Sequence, residues 1–338
     1  MDKKRVIYFD VLNIFATLGV IFLHCNGLAH TYSNTLAWKQ ALAVEVFYYW
    51  PVPVFFMLSG ATLMNYRKRY STKEFFKKRF FRTVIPFLVW SLISAAVKSI
   101  NPLDIGEKAF ISRIFGTSIE NVYWFFIPLF SVYLAMPVIS LLKDNRKILW
   151  YMVICSFLLN SLLPPIFGYI GIQWNWSLQM ITMGGYLFFA VLGYLLATCE
   201  FSKKQRIIIY LVGLFGALLR YFATIILSMR DGQINKTFFS YTAYYSVFLA
   251  VAVFVLFKNL PIIEKLGANE KAAKIIKNVS GCSFGIYLIH MIIRNLLGSY
   301  LPTNCWEWRI FAPFAIYLIA LFAVFLMKKI PVIKHIVP

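Results

Sequence analysis

Acidic side chains are scarce in this chain. Asp and Glu number 13 against 34 Lys and Arg, and charged residues of both signs fill only 14% of 338 positions. A soluble domain carries about 25% charged residues because its surface faces water. This chain has too few to coat such a surface. Hydrophobic residues reach 60% and mean hydropathy +0.71, so the solvent for most of the chain is lipid. Cysteine is sparse too: Cys25, Cys155, Cys199, Cys282 and Cys305 are scattered, odd in number, mostly inside apolar runs and without a CxxC. They read as small apolar packers and imply neither a disulfide framework nor a metal site. An internal repeat is also missing, which weighs against an inverted-repeat transporter. No stretch reads as a separate soluble domain, so 1–338 is taken as a single membrane domain.

The net charge of +21 raises nucleic acid as a partner, and its placement argues against it. Lys and Arg fall in short clusters between apolar runs: Lys3-Lys4-Arg5, Arg67-Lys68-Arg69, Lys77-Lys78-Arg79, Lys143 with Arg146-Lys147, Lys203-Lys204-Arg206 and Lys328-Lys329. That is the signature of cytoplasmic loops facing anionic lipid. Lys3-Lys4-Arg5 and the apolar run after it mimic a signal peptide. The run is longer than a normal signal core and carries Asp10, Asn13 and His24, so it reads as a retained first helix.

Ten apolar runs have spanning length, near 6–28, 42–64, 80–100, 122–142, 148–163, 178–197, 207–228, 238–257, 281–300 and 308–327. The expected fold is an all-α, polytopic membrane protein of about ten helices. An even number puts both termini on one side, and most of the Lys and Arg fall there, so both termini are expected in the cytoplasm. The opposite side is rich in Trp, Tyr, Pro and Asn, as in Asn121-Val122-Tyr123-Trp124 and Gln173-Trp174-Asn175-Trp176. An interfacial aromatic belt is the plain reading of these residues; a sugar-facing mouth that includes Trp124 is the functional one. The stretch 261–279 mixes isoleucines with lysines and is compatible with an amphipathic helix on the inner leaflet.

Ionisable groups inside spanning helices are costly and mark functional candidates. The first helix holds Asp10, Asn13 and His24. At 1.5 Å per residue, His24 lies about 20 Å outward of Asp10, so the two cannot touch. An imidazole changes charge near pH 7, as a general base or acid must, although a packing histidine fits the residue physics equally well. Glu45 falls at a similar outer depth, where it either orients His24 or simply meets interfacial water. Arg79 and Arg82, three apart at the cytoplasmic border, present two guanidinium forks suited to phosphates; snorkelling cations are the plain alternative. His290 sits near mid-membrane, with a structural role as open as a catalytic one.

Taken in order, Tyr8-Phe9-Asp10…Asn13…His24, then 53–60 (PVFFMLSG), then Arg79-Phe80-Phe81-Arg82 with Pro86, then Tyr123-Trp124-Phe125, Leu192-Gly193-Tyr194-Leu195 and Tyr287-Leu288-Ile289-His290 resemble the membrane acyltransferase-three family. The resemblance spans nearly the whole chain. It implies a bacterial inner-membrane enzyme of about ten helices. Such an enzyme moves an acyl group, usually acetyl and sometimes succinyl, from cytosolic acyl-CoA to hydroxyls of a surface polysaccharide or lipid-linked glycan. It further implies that His24 is the catalytic histidine and that Arg79 and Arg82 are the arginine pair on the acyl-CoA side, near Asp10 and Asn13. Acyl-CoA is then a co-substrate, with no other cofactor. Two departures stand out: many relatives carry Arg where this chain has Asn13, and some carry Glu shortly after the residue matching Trp124. A multi-pass transporter or flippase for a sugar or lipid is the alternative class, and a sensor or scaffold the third. The acyl group, the acceptor and any homo-oligomer stay open.

Overall fold

The computed structural model describes residues 6–338; the Lys3-Lys4-Arg5 cluster lies outside them. The described residues form helices and turns without a strand. A backbone in hydrocarbon must satisfy its own N–H and C=O groups, and a helix does so within one segment.

Helix α1 (Ile7–His24) is followed by α2 (Leu36–Phe47) and α3 (Pro51–Leu63). Next, α4 (Thr72–Arg79) and α5 (Ile85–Val97) form one rod, joined by a π-helical segment, Phe80–Val84. The cause is Pro86, which has no N–H for the carbonyl of Arg82 and whose ring crowds it, so the turn widens. Short helices α6 (Pro102–Ile105) and α7 (Glu107–Phe115) lead to α8 (Phe126–Ile139). A second π segment, Phe157–Leu162, joins α9 (Arg146–Ser156) to α10 (Leu163–Tyr169) just before Pro164 and Pro165. The remaining helices are α11 (Leu187–Thr198), α12 (Lys203–Asp231), α13 (Tyr244–Asn259), α14 (Pro261–Ala268), α15 (Glu270–Gly298) and α16 (Trp306–Met327).

The ten apolar runs of the sequence resolve into three kinds of element. Among the described residues, eight helices are long and apolar enough to cross a membrane. The ninth candidate, α13 with α14, is bent by 46°. The run 178–197 differs most from expectation: after a single 3-10 turn at Ile181–Met183 only α11 is α-helical, and its 12 residues rise about 18 Å. Residues Phe188–Leu196 are all buried, so this short helix meets protein rather than lipid. The stretch 261–279 also differs. It is α14 followed by the first turns of the 29-residue α15, not one surface helix.

Without a hydrophobic drive between helices in lipid, small residues that permit close backbone approach decide the packing. Where α3 crosses α11, a Cβ on Gly60 would sit 1.7 Å from the Ala190 carbonyl oxygen, and one on Gly193 2.2 Å from that of Met57. Both glycines lie in the sequence motifs noted above. Helix α12 is apolar outward and polar inward: its buried residues are Gly213, Gly216, Arg220, Thr224 and Ser228, while Leu211, Phe215, Leu218, Phe222 and Ile226 are exposed. Helices α1 and α15 run in the same direction, tied low by Asn13 to Ser280 and meeting high at His24 and His290. Helix α16 returns beside them. The chain after it folds back into the bundle: Trp90 Nε1 donates to the Ile336 carbonyl at 2.8 Å, and Val337 is fully buried.

Candidate active site

One cavity of about 1150 Å³ connects the two ends of this bundle. Its walls come from α1, α3, the α4–α5 rod, α8, α15 and the segment after α16, with Phe55, Phe125 and Phe284 along its middle. The sequence candidates Asp10, Asn13, His24, Glu45, Arg79, Arg82 and Trp124 all line it.

The inner end holds Arg79, the last residue of α4, and Arg82, within the π segment that joins α4 to α5. The Arg79 guanidinium lies 5.5 Å from the centre of the Tyr133 ring and 5.8 Å from that of Phe75. Its Nε is buried without a hydrogen-bond partner, a donor free for an anion. Asp10 is buried at the same end. Asn13 donates through Nδ2 to the Ser280 carbonyl at 3.2 Å and to its hydroxyl at 3.1 Å, which holds α1 against α15. Lys328, Lys334 and His335 complete this mouth. Burial pushes the Lys328 ammonium below its ordinary pKa; Cys282 opposes the shift, and Arg82 adds to it by a smaller amount.

His24 is the last residue of α1, partly exposed to the cavity. The sequence placed His290 at mid-membrane; the structure brings it to His24, with ring centres 5.3 Å apart. His290 Nδ1 lies 2.6 Å from the Tyr287 carbonyl oxygen, and a carbonyl only accepts, so Nδ1 carries the proton. Nε2 is then left with its lone pair, buried and without a partner among the described residues. Tyr287 is in turn held by its hydroxyl on the Val122 carbonyl, and Tyr123 donates to the Leu288 carbonyl at 2.8 Å. The last family motif therefore builds the wall behind His24.

Glu45 is buried, not in interfacial water. Its carboxylate lies 3.8 Å from Arg220 and 3.9 Å from His30 Nε2. The Arg220 guanidinium sits 3.4 Å above the centre of the Tyr49 ring. Tyr49 stacks on Tyr241 at 4.1 Å, and Tyr241 on Trp124 at 5.8 Å. This column gives the outer end of the cavity an aromatic wall with a cation behind it. Burial drives the Tyr241 phenol far above its ordinary pKa, so it stays a neutral donor.

Sequence reasoning missed Arg220, His30, Tyr49 and Tyr241. Arg220 was findable, since an arginine inside an apolar span is itself a signal. The other three reach the site through turns and loop folding, which periodicity does not report. Among the described residues, no group of three or more His, Cys, Asp and Glu is placed to hold a metal ion.

Comparison with family models gives a match to an acyltransferase domain across residues 6–327. Comparisons with curated proteins and with solved structures give no match.

Proposed function

The chain belongs to this acyltransferase family, and we propose on that premise that it carries acyl groups through the bilayer, from cytosolic acyl-CoA to a hydroxyl of an extracytoplasmic or lipid-linked sugar. The acyl group is acetyl in the first instance, with succinyl as the alternative. The setting is the cytoplasmic membrane of a bacterium, with both termini on the cytoplasmic side. The observation that carries this reading is the single cavity with Arg79 and Arg82 at one end and His24 at the other.

The span between those ends selects the donor. Asn13 and His24 are 11 residues apart on one helix, a rise of about 16 Å. A compact acyl donor cannot reach both. A donor with anionic phosphates and its acyl group on a long, flexible arm can. Arg79 and Arg82 hold the phosphates, and the apolar middle of the cavity receives the arm.

At the outer end, His24 acts as general base. One ring nitrogen takes the proton of the acceptor hydroxyl while that oxygen attacks the thioester carbonyl. A C–O bond forms, the C–S bond breaks, and the thiolate leaves with the proton that His24 returns. In the alternative route His24 itself attacks and carries the acyl group briefly before the hydroxyl takes it. In both routes His290 is the positioning residue beside His24: its own proton is held by the Tyr287 carbonyl, and its ring lies 5.3 Å from that of His24. Trp124 and the ring beneath it offer the acceptor a stacking face.

The test is purified protein in vesicles supplied with acyl-labelled acetyl-CoA and a cell-surface glycan fraction. Label on the glycan supports the enzyme. Movement of unmodified glycan without label supports a transporter and contradicts this reading.

A further inference from the structure

The segment after α16 contributes three cationic or proton-bearing side chains to the same cavity end as the arginine pair: Lys328, Lys334 and His335. Asp10 is the acidic side chain lining that end among the described residues, because the cavity's other carboxylate, Glu45, is held at the outer end by Arg220. Like charges gathered in one mouth repel one another unless something anionic sits between them. The segment is nevertheless fixed in place. Trp90 donates to the Ile336 carbonyl, Val337 is buried, and Val337 packs where a Cβ on Gly285 would lie 3.3 Å away. Lys328 Nζ donates one bond, to the Gly281 carbonyl at 2.5 Å, which leaves two of its three donors for another partner.

A positive-inside cluster is the plain explanation of lysines at a helix end. It accounts for cations in the headgroup layer, but not for Lys334 and His335 lining the cavity's mouth while the residues around them are pinned by Trp90 and Gly285. Nor does it account for Arg79 Nε, buried and unpartnered in the same mouth. The geometry asks for a ligand with more than one phosphate.

We infer that residues 328–338 form part of the donor site, with Lys328, Lys334 and His335 joining Arg79 and Arg82 around the phosphates of a nucleotide-bearing acyl carrier. This inference rests on the acyl-CoA reading above and deepens it. The arginine pair reaches up toward the arm of the donor, while the tail closes over the phosphorylated nucleotide at the mouth. The tail therefore reads the nucleotide end, and a carrier without phosphates on its ribose binds less tightly.

The experiment measures equilibrium binding of CoA, 3′-dephospho-CoA and pantetheine to the full chain in nanodiscs, with neutral lipid in one set and anionic lipid in another. The wild type is expected to prefer CoA over dephospho-CoA, and to lose affinity as salt rises. In K328A/K334A, CoA affinity falls by roughly tenfold or more, the size of one lost charged hydrogen bond, and the preference for the ribose phosphate disappears. Pantetheine binding stays unchanged. K328R/K334R restores CoA affinity, which separates lost charge from lost folding, and K334A alone, at an exposed position, gives an intermediate loss. CoA bound equally well by wild type and double variant overturns the tail's role while leaving the donor reading intact. A loss confined to anionic nanodiscs assigns the cluster to lipid headgroups and overturns it too. Wild-type protein that ignores CoA overturns both.

Discussion

At the scale of single residues, the account stands on chemistry that the fold places at two depths. His24 stands out in the sequence because a histidine in an apolar helix is expensive, and in the structure it lines the cavity at the end of α1. His24→Ala is expected to lower acyl transfer by about 10²–10⁴-fold, the usual contribution of a general base. CoA binding and membrane insertion should persist, as measured by transfer of label and by ligand binding on the same preparation. Glu45 was legible as a position and not as an environment. Sequence depth alone leaves it between orienting His24 and meeting interfacial water, because its partner Arg220 lies 175 residues away on α12. Glu45→Ala leaves a guanidinium buried without its carboxylate, which costs about 3–5 kcal/mol in comparable sites. The expected readout is a clearly lower melting temperature in detergent. Glu45→Ala combined with Arg220→Met should recover much of it, since removing both charges removes the unpaired one. A double variant as unstable as the single would show that the pair itself is not what the site needs.

Elements carry the next level. Periodicity and run length were enough to find the long helices, because a lipid-facing span needs a stretch of about 20 apolar residues. They were not enough for α11, whose core is surrounded by protein, or for α15, whose first turns look like a polar loop until their packing is known. The π segment Phe80–Val84 was equally invisible as a turn type, though its cause, Pro86, was in view. That segment sets the direction in which Arg82 points. Pro86→Ala lets the rod relax to a regular α-helix, which rotates Arg82 relative to Arg79 by about one residue's turn. The expected outcome is a higher KM for acyl-CoA with the acceptor KM unchanged, measured in steady-state assays on the reconstituted protein. Equal effects on both would mean that the bulge serves packing rather than the donor. The α3–α11 crossing makes a blunter prediction. Gly193→Val has no room beside the Met57 backbone, so the protein should fail to accumulate as a monodisperse species on size exclusion. Gly232→Ala, in open space at a left-handed turn, should be far milder.

For the whole molecule, composition alone points to the membrane, and the structure adds one cavity that reaches from Arg79 and Arg82 to His24. The cavity is what the sequence could not display: its walls are assembled from residues 9–83, 122–133, 239–241, 280–287 and 328–338, brought together only by folding. The end at Arg79 and Arg82 is cationic and the end at His24 is aromatic, with Tyr49, Trp124, Phe239 and Tyr241 in its wall; that polarity is the one the proposed reaction asks for, with donor and acceptor on different sides of the bilayer. The most direct measurement of that claim uses sealed, right-side-out membrane vesicles that carry the protein and its native surface glycan. Acyl-labelled acetyl-CoA is supplied either inside or outside, and label released from the outer glycan by mild base is counted. The account predicts labelled glycan only when the donor is inside, and none in His24→Ala vesicles loaded the same way. Equal labelling from donor supplied outside would contradict it.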